Sequence, residues 1–434
     1  MRRVVSADWV LPVESPPLAD GAVAFEDGRI TAVGERDELG SDAHYEGAAI
    51  VPGFVNAHTH LEYAVYGGFG DGLADFARWI ALHTERKRRI GWDDYVAIAR
   101  IGAAECLASG VTTVADCSYS GAAAVAAADV GLRARVYLEV FGSDPAGALE
   151  QFEELRSRAD GVDVELGISP HAPYSVSAEA YRACLELGLP VATHISESES
   201  EVRYLHDGGG PWAGIPWLVE PAGTTGTRLL AREGLLRPGT IAAHCVVLDD
   251  EEIALLAAAG VSVAHCPRSN AAVGSGIAPL REFVAAGIAV GLGTDSPASA
   301  PSFDFFEELR AVVLLARARE RRPDALSPSL ALELATLGSA RALGLEAEVG
   351  SLAAGKRADL AIVSLEGSPY LPWEDPAAAV VFGGSPERVI ATLVDGEARY
   401  ERGGFEWHEL RQRAADARSR MLAVPSAAPA AAGT

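Results

Sequence analysis

The sequence predicts an α/β protein, a (β/α)8 barrel joined to a small β domain assembled from both chain ends. Three features of the chain point to it. In the middle of the chain, apolar strands alternate with Ala-, Leu- and Glu-rich helical stretches, and eight such strands fit into roughly 290 residues, a usual barrel length. The two flanks instead alternate apolar and polar residues around turn signals, the texture of antiparallel strands. The residues suited to chemistry fall just past successive strands of the middle segment, where a barrel places its site.

The N-terminal part of the β domain is expected over 1–52, with a turn at Glu26-Asp27-Gly28-Arg29. The barrel follows over 53–345. Its strands are read as Ile50 to His60, Gly110 to Ala115, Ala134 to Val140, Val164 to Ile168, Pro190 to His194, Thr240 to His244, Val261 to His265 and Ala289 to Gly293. The β domain resumes over 346–404, where Gly355 to Val363 and Val389 to Glu397 carry the strand pattern. A C-terminal helix and a Pro- and Ala-rich tail, disordered from Pro425, complete the chain over 405–434.

Composition narrows the function. About half of the 434 residues are apolar, enough for one large core and a smaller satellite. The net charge of −24 repels phosphate backbones and argues against a nucleic-acid partner. Five scattered cysteines without a CxxC pair argue for a reducing compartment. The apolar stretches are too short to span a membrane, and the start lacks an apolar signal core. These features read together as a cytoplasmic, soluble protein.

The pair His58-Thr59-His60 stands at the end of the run Ala49 to Ala57. Residues two apart in a strand face the same side, so both imidazoles would converge. An isolated pair of this kind fits an ordinary surface site as well as a metal site. The later strand ends separate the two. His171 follows the fourth strand, His194 ends the fifth with Glu197 three residues on, His244 ends the sixth, His265 the seventh, and Asp295 follows the eighth. Imidazoles with one carboxylate suit Zn2+ or Fe2+ and leave a position for water, whose pKa the metal lowers towards neutrality. Asp295 would bind the metal and accept the water proton, and Glu197 is placed to carry a proton to the leaving group. Glu197, Glu199 and Glu201 also fit a solvated acidic face. Lys87, in a charged helical run, and Lys356, in a turn, cannot be strand-end bridging ligands. Glu139 is a weaker candidate for that role, so one metal per chain is expected.

The stretches VPGFVNAHTH, GVTTVAD, SPHAPYS, HISES, HCPRSN with GSGIAPL, GLGTDS, GKRADL and VDGE resemble the amidohydrolase superfamily, in its branch of chlorotriazine hydrolases and nucleoside or nucleobase deaminases. The resemblance implies a deformed barrel with a β-sandwich from both termini. It implies a metal, zinc before iron, held by His58, His60, His194 and Asp295. It further implies that His244 polarises the attacking water or the new C–O bond, that Glu197 protonates the ring nitrogen beside the scissile amine, and that His171 contacts the purine ring. Dimers are frequent in this branch, so a homodimer is an expectation. Relative to S-adenosylhomocysteine-type deaminases, Trp79 is retained and Glu85 is the nearest counterpart of the ribose-binding glutamate. The His-Thr-His-Leu-Glu form is more similar to aminodeoxyfutalosine deaminases of menaquinone biosynthesis. On that resemblance Glu62 would touch the substrate, or else orient a ligand histidine. Arg268 would meet a substrate carboxylate, which aminodeoxyfutalosine carries as a benzoate.

Overall fold

A computed structural model of the chain describes residues 1–69, 76–368, 374–404 and 406–423, and side chains in the helix Phe76–Lys87 only from 81 onward. Four strands open the chain: β1 (Arg3–Val10), β2 (Leu18–Glu26), β3 (Arg29–Glu35) and β4 (Ala43–Pro52). Eight parallel strands follow, each bonded to the next in sequence: β5 (Phe54–Thr59), β6 (Val111–Ser118), β7 (Arg133–Val140), β8 (Glu165–Pro170), β9 (Val191–Ile195), β10 (Thr240–His244), β11 (Ser262–His265) and β12 (Val290–Leu292). The chain then returns to its first sheet with β13 (Leu360–Ser364), β14 (Val389–Val394) and β15 (Glu397–Glu401), giving the order β15-β14-β13-β4-β1-β2-β3. Val5 and Val23 from the N-terminal half share one apolar cluster with Leu360, Ile362 and Leu393 from the C-terminal half. The terminal domain therefore has a core of its own.

The eight-stranded sheet curls until its ends meet. Thr59 and Asp295 form a parallel bridge, with Thr59 Oγ1 donating to the Asp295 carbonyl at 3.0 Å and Asp295 N donating to the His58 carbonyl at 3.1 Å. The barrel is weakest between β8 and β9, which pair only at Ile168 and Val191. His194 N donating to the His171 carbonyl at 2.9 Å carries the contact further up. Inside, Tyr137 and Ala192 belong to one apolar cluster, and each lies two residues before a buried polar residue, Glu139 and His194. Alternation along a strand thus puts an apolar floor beneath the polar rim.

Helices outside the barrel start and stop on local chemistry. Asp249 and Glu252 form a capping box at the start of Asp250–Ala259, and Gly260 ends that helix in the left-handed conformation. Asp144 caps Pro145–Arg158 by accepting from the amides of Ala146 and Gly147. Among the described residues no helix is long and apolar enough to cross a membrane.

One sequence expectation needs correction. The run Ile50 to His60 is two strands in two sheets, because the chain turns from β4 into β5 at Gly53. A Cβ at Gly53 would lie 2.2 Å from the side chain of Thr112 on β6, so only glycine lets the two strands approach. Gly53→Ala is expected to lower stability by about 1–3 kcal/mol through overpacking, read as a lower denaturant midpoint. An unchanged midpoint would show that the corner relaxes freely.

Candidate active site

Strand ends bring the predicted residues onto one rim. His58, His60 and His194 each offer a ring nitrogen, all within 4.8 Å of one another, and all three residues are buried. Their outer nitrogens are engaged elsewhere. His60 Nδ1 donates to the Cys117 carbonyl at 2.7 Å and His194 Nδ1 to the His171 carbonyl at 2.8 Å, while His58 Nδ1 lies 3.7 Å from Cys117 Sγ. A carbonyl accepts only, so in His60 and His194 these contacts put the proton on Nδ1 and leave Nε2 as a lone pair. The inner nitrogens of His60 and His194 stand 3.4 Å apart, and His58 Nε2 is buried with no hydrogen-bond partner.

Asp295 completes the group. Its Oδ1 lies 3.8 Å from His58 Nε2 and 3.5 Å from His60 Nε2, while Oδ2 accepts from the hydroxyls of Ser269 and Ser299, each at 2.6 Å. Both Asp295 (φ 57°) and His244 (φ 71°) adopt the left-handed conformation at a strand end, a strained geometry that bends each side chain over the barrel mouth.

Electrostatics divides these groups by role. Burial, reinforced by neighbouring histidines, holds His58, His60 and His171 well below the ordinary imidazole range and brings His194 down to about 4. Burial pushes Asp295 up, but His244, His58 and the two serine hydroxyls outweigh it and hold the carboxyl below its usual value. Three neutral imidazoles and one ionised carboxylate form a donor set that fits a single divalent cation with an open position. His244 moves the other way: burial lowers it, yet Glu197, Asp295 and Asn270 raise it overall. Its Nε2 lies 4.0 Å from Glu197 Oε2. Burial raises the Glu197 carboxyl, favouring its acid form.

The acidic run after His194 separates cleanly. Glu197 faces the cavity, Glu199 is exposed, and Glu201 is buried as an acceptor for the amides of Ser196 at 2.9 Å and Glu197 at 2.7 Å.

Residues 49–399 match the Amidohydrolase family. The chain belongs to the amidohydrolase family. This amidohydrolase is an enzyme of the C–N hydrolase kind. It is 32% identical over 412 residues to the 5-methylthioadenosine/S-adenosylhomocysteine deaminase of Moorella thermoacetica, covering 91% of this chain and 93% of that one. It is also 32% identical over 403 residues to the 5'-deoxyadenosine deaminase of Methanothermobacter thermautotrophicus, covering 89% and 90%. Among solved structures, an adenosine deaminase from Xanthomonas campestris with bound zinc superposes with a TM-score of 0.85 at 28% identity, over 96% of this chain and 98% of that one.

The amidohydrolase has a cavity of about 570 Å³ above the histidines, lined among others by His171, Glu197, His244 and Asp295. His171 Nδ1 pairs with Ser175 Oγ at 2.7 Å, and its ring lies 4.7 Å from that of Phe141. One group in the wall escaped the sequence pattern. Lys87, set aside in a charged run, turns its ammonium inward over the rings of Tyr63 and Tyr119, at 4.4 and 4.1 Å from their centroids, and donates to Tyr63 Oη. Burial lowers its pKa, and Glu139 across the cavity opposes that fall. Glu139 also groups with His171 and His194, so the bridging candidate stands on the cavity wall countered by Lys87.

Three other predicted residues, Glu62, Arg268 and Glu85, do not line the cavity. Glu62 is buried, and its carboxylate accepts from Ser118 Oγ, from Ser120 N at 2.9 Å and from Ala123 N at 3.3 Å, securing the start of the helix Ala122–Val130. It meets neither the cavity nor the outer nitrogen of a predicted metal ligand. Arg268 ion-pairs with Glu307 at 2.8 Å and Glu308 at 3.3 Å and donates to the Ser302 and Asp304 carbonyls, so its guanidinium clamps the helix Phe305–Glu320. Glu85 is exposed and paired with Arg89. The side chain of Trp79 and the tail from Pro425 lie outside the described residues.

Proposed function

We propose that this chain is a metal-dependent aminohydrolase that releases ammonia from the six-membered ring of an adenine-type nucleoside. The convergence of three histidines and Asp295 beneath a cavity that also presents Glu197 and His244 carries this reading. His58, His60, His194 and Asp295 would hold the metal, zinc by analogy with the Xanthomonas protein and iron as the alternative. A divalent cation there would supply hydroxide from water near neutral pH. Asp295 Oδ1, 3.5–3.8 Å from two of the histidine nitrogens, would take the water proton. His244 Nε2, beside Glu197, would polarise the attacking water or the new C–O bond. Glu197, whose carboxyl burial raises above its usual value, would protonate the ring nitrogen next to the leaving amine. His171, with Phe141 beside it, would contact the purine.

The first choice of substrate is 6-amino-6-deoxyfutalosine, which would place the protein in menaquinone biosynthesis. The cavity wall supports a substituted nucleoside: Lys87 and Arg88 offer cationic groups, and the partly exposed rings of Tyr119 and Trp217 offer flat apolar surface, as an aromatic acid requires. The names of the relatives favour a second reading, deamination of methylthioadenosine, S-adenosylhomocysteine or 5'-deoxyadenosine. Ammonia release measured across aminodeoxyfutalosine, methylthioadenosine, S-adenosylhomocysteine, adenosine and guanine separates them. The aminodeoxyfutalosine kcat/KM is expected to be among the highest. A preference for methylthioadenosine or S-adenosylhomocysteine alone would overturn the first choice, and activity on guanine alone would overturn the adenine reading.

A further inference from the structure

The outer nitrogen of His244 is met by an amide side chain, where those of His60 and His194 are met by backbone carbonyls. His244 Nδ1 lies 2.9 Å from Asn270 Oδ1. Asn270 is fully buried in the short helix Pro267–Ala272, and its backbone carbonyl accepts from Ser275 N at 2.9 Å and Gly276 N at 3.3 Å, so the residue is held on both sides. Among the described residues its amide nitrogen is buried without a partner, while its oxygen meets His244.

An oxygen at this position has a particular consequence. An acceptor holds a proton on Nδ1 whether or not Nε2 also carries one, so the ring keeps one orientation in both states. A donor there would lose its bond whenever His244 became fully protonated. The His244 backbone is left-handed at φ 71°, its ring packs 5.5 Å from those of His58 and His194, and the Nδ1 contact adds a directional hydrogen bond that sets which ring edge faces the cavity.

We propose that Asn270 is a positioning residue for the reaction: its side-chain oxygen accepts from His244 Nδ1 and keeps Nε2 turned into the cavity beside Glu197. The proposal rests on the deaminase reading for the role of Nε2, while the hydrogen bond itself does not.

Two measurements test it on the full-length, metal-loaded protein. Asn270→Leu keeps volume and removes the acceptor, whereas Asn270→Asp keeps shape and acceptor. With methylthioadenosine or whichever nucleoside is turned over, Asn270→Leu is expected to lose about 10–100-fold in kcat with KM and metal content little changed. Asn270→Asp is expected to stay within a few-fold of the unaltered protein. Equal damage in both variants, or full kcat in Asn270→Leu, would overturn the proposal. The second measurement is the 15N chemical shift of His244 in the unaltered protein, assigned with His244→Gln. A protonated, pyrrole-type Nδ1 is expected, and an unprotonated Nδ1 would overturn the proposal even if Asn270→Leu fails to fold. If no adenine nucleoside is deaminated, the deaminase reading falls while the 15N result still decides the role of Asn270.

Discussion

Asp295→Asn is expected to remove nearly all turnover, by about a thousandfold or more in kcat, while the barrel stays folded. The two halves of that expectation come from different atoms of one residue. The side chain supplies an ionised oxygen 3.5–3.8 Å from two histidine nitrogens, and an amide can neither take a proton there nor bind a cation as strongly. The backbone supplies the bonds to His58 and Thr59 that close the sheet, and these do not depend on the side chain. Asparagine retains an oxygen that the Ser269 and Ser299 hydroxyls can reach. Metal analysis of the purified protein should give about one Zn or Fe per chain. An active Asp295→Asn variant, together with metal analysis finding none or two, would remove the mechanism.

The second large effect is expected at Glu197. Glu197→Gln preserves shape and burial but has no proton to give, so kcat should fall by about 10²–10⁴-fold. Burial raises the Glu197 carboxyl, so the acid form persists to higher pH than in an ordinary glutamate. In the unaltered protein the rate should decline as pH rises through that elevated value, and the variant should lose this limb. A 6-chloro analogue offers a leaving group that departs without a proton. Its hydrolysis should suffer much less in Glu197→Gln than release of ammonia does. Equal losses on both substrates would show that Glu197 binds rather than protonates.

The barrel and its rim were legible because both obey short-range rules. Strands fall where apolar runs recur between helical stretches, and the rim residues sit just past those runs, as His194, His244 and Asp295 do. Periodicity gives no sign of a sharp turn inside an apolar run, which is why Gly53 divides what reads as one strand. Which side chains line the cavity was less legible for a related reason. Lys87 lies in a run whose neighbours Glu85 and Arg89 pair with each other in solvent, and nothing local marks it as the one that turns inward. Glu62 and Arg268 carry charges near the rim, but partners distant in sequence, Ser118 and Ser120 for one and Glu307 and Glu308 for the other, draw both away from the cavity. Which partner a long polar side chain reaches is decided by tertiary proximity, and a linear pattern does not encode it.

The seam of the barrel passes through Asp295, and the first and last strands are joined by the same short stretch that presents two histidines and a carboxylate. A cation held across His58, His60 and Asp295 would therefore act as a staple between the two ends of an eight-stranded ring. By linkage, loading the site and closing the ring become one equilibrium: each stabilises the other by the same free energy. Loss of such a cation would then be a mechanical event for this fold as well as a chemical one, since it would loosen the ring at the join of its first and last strands.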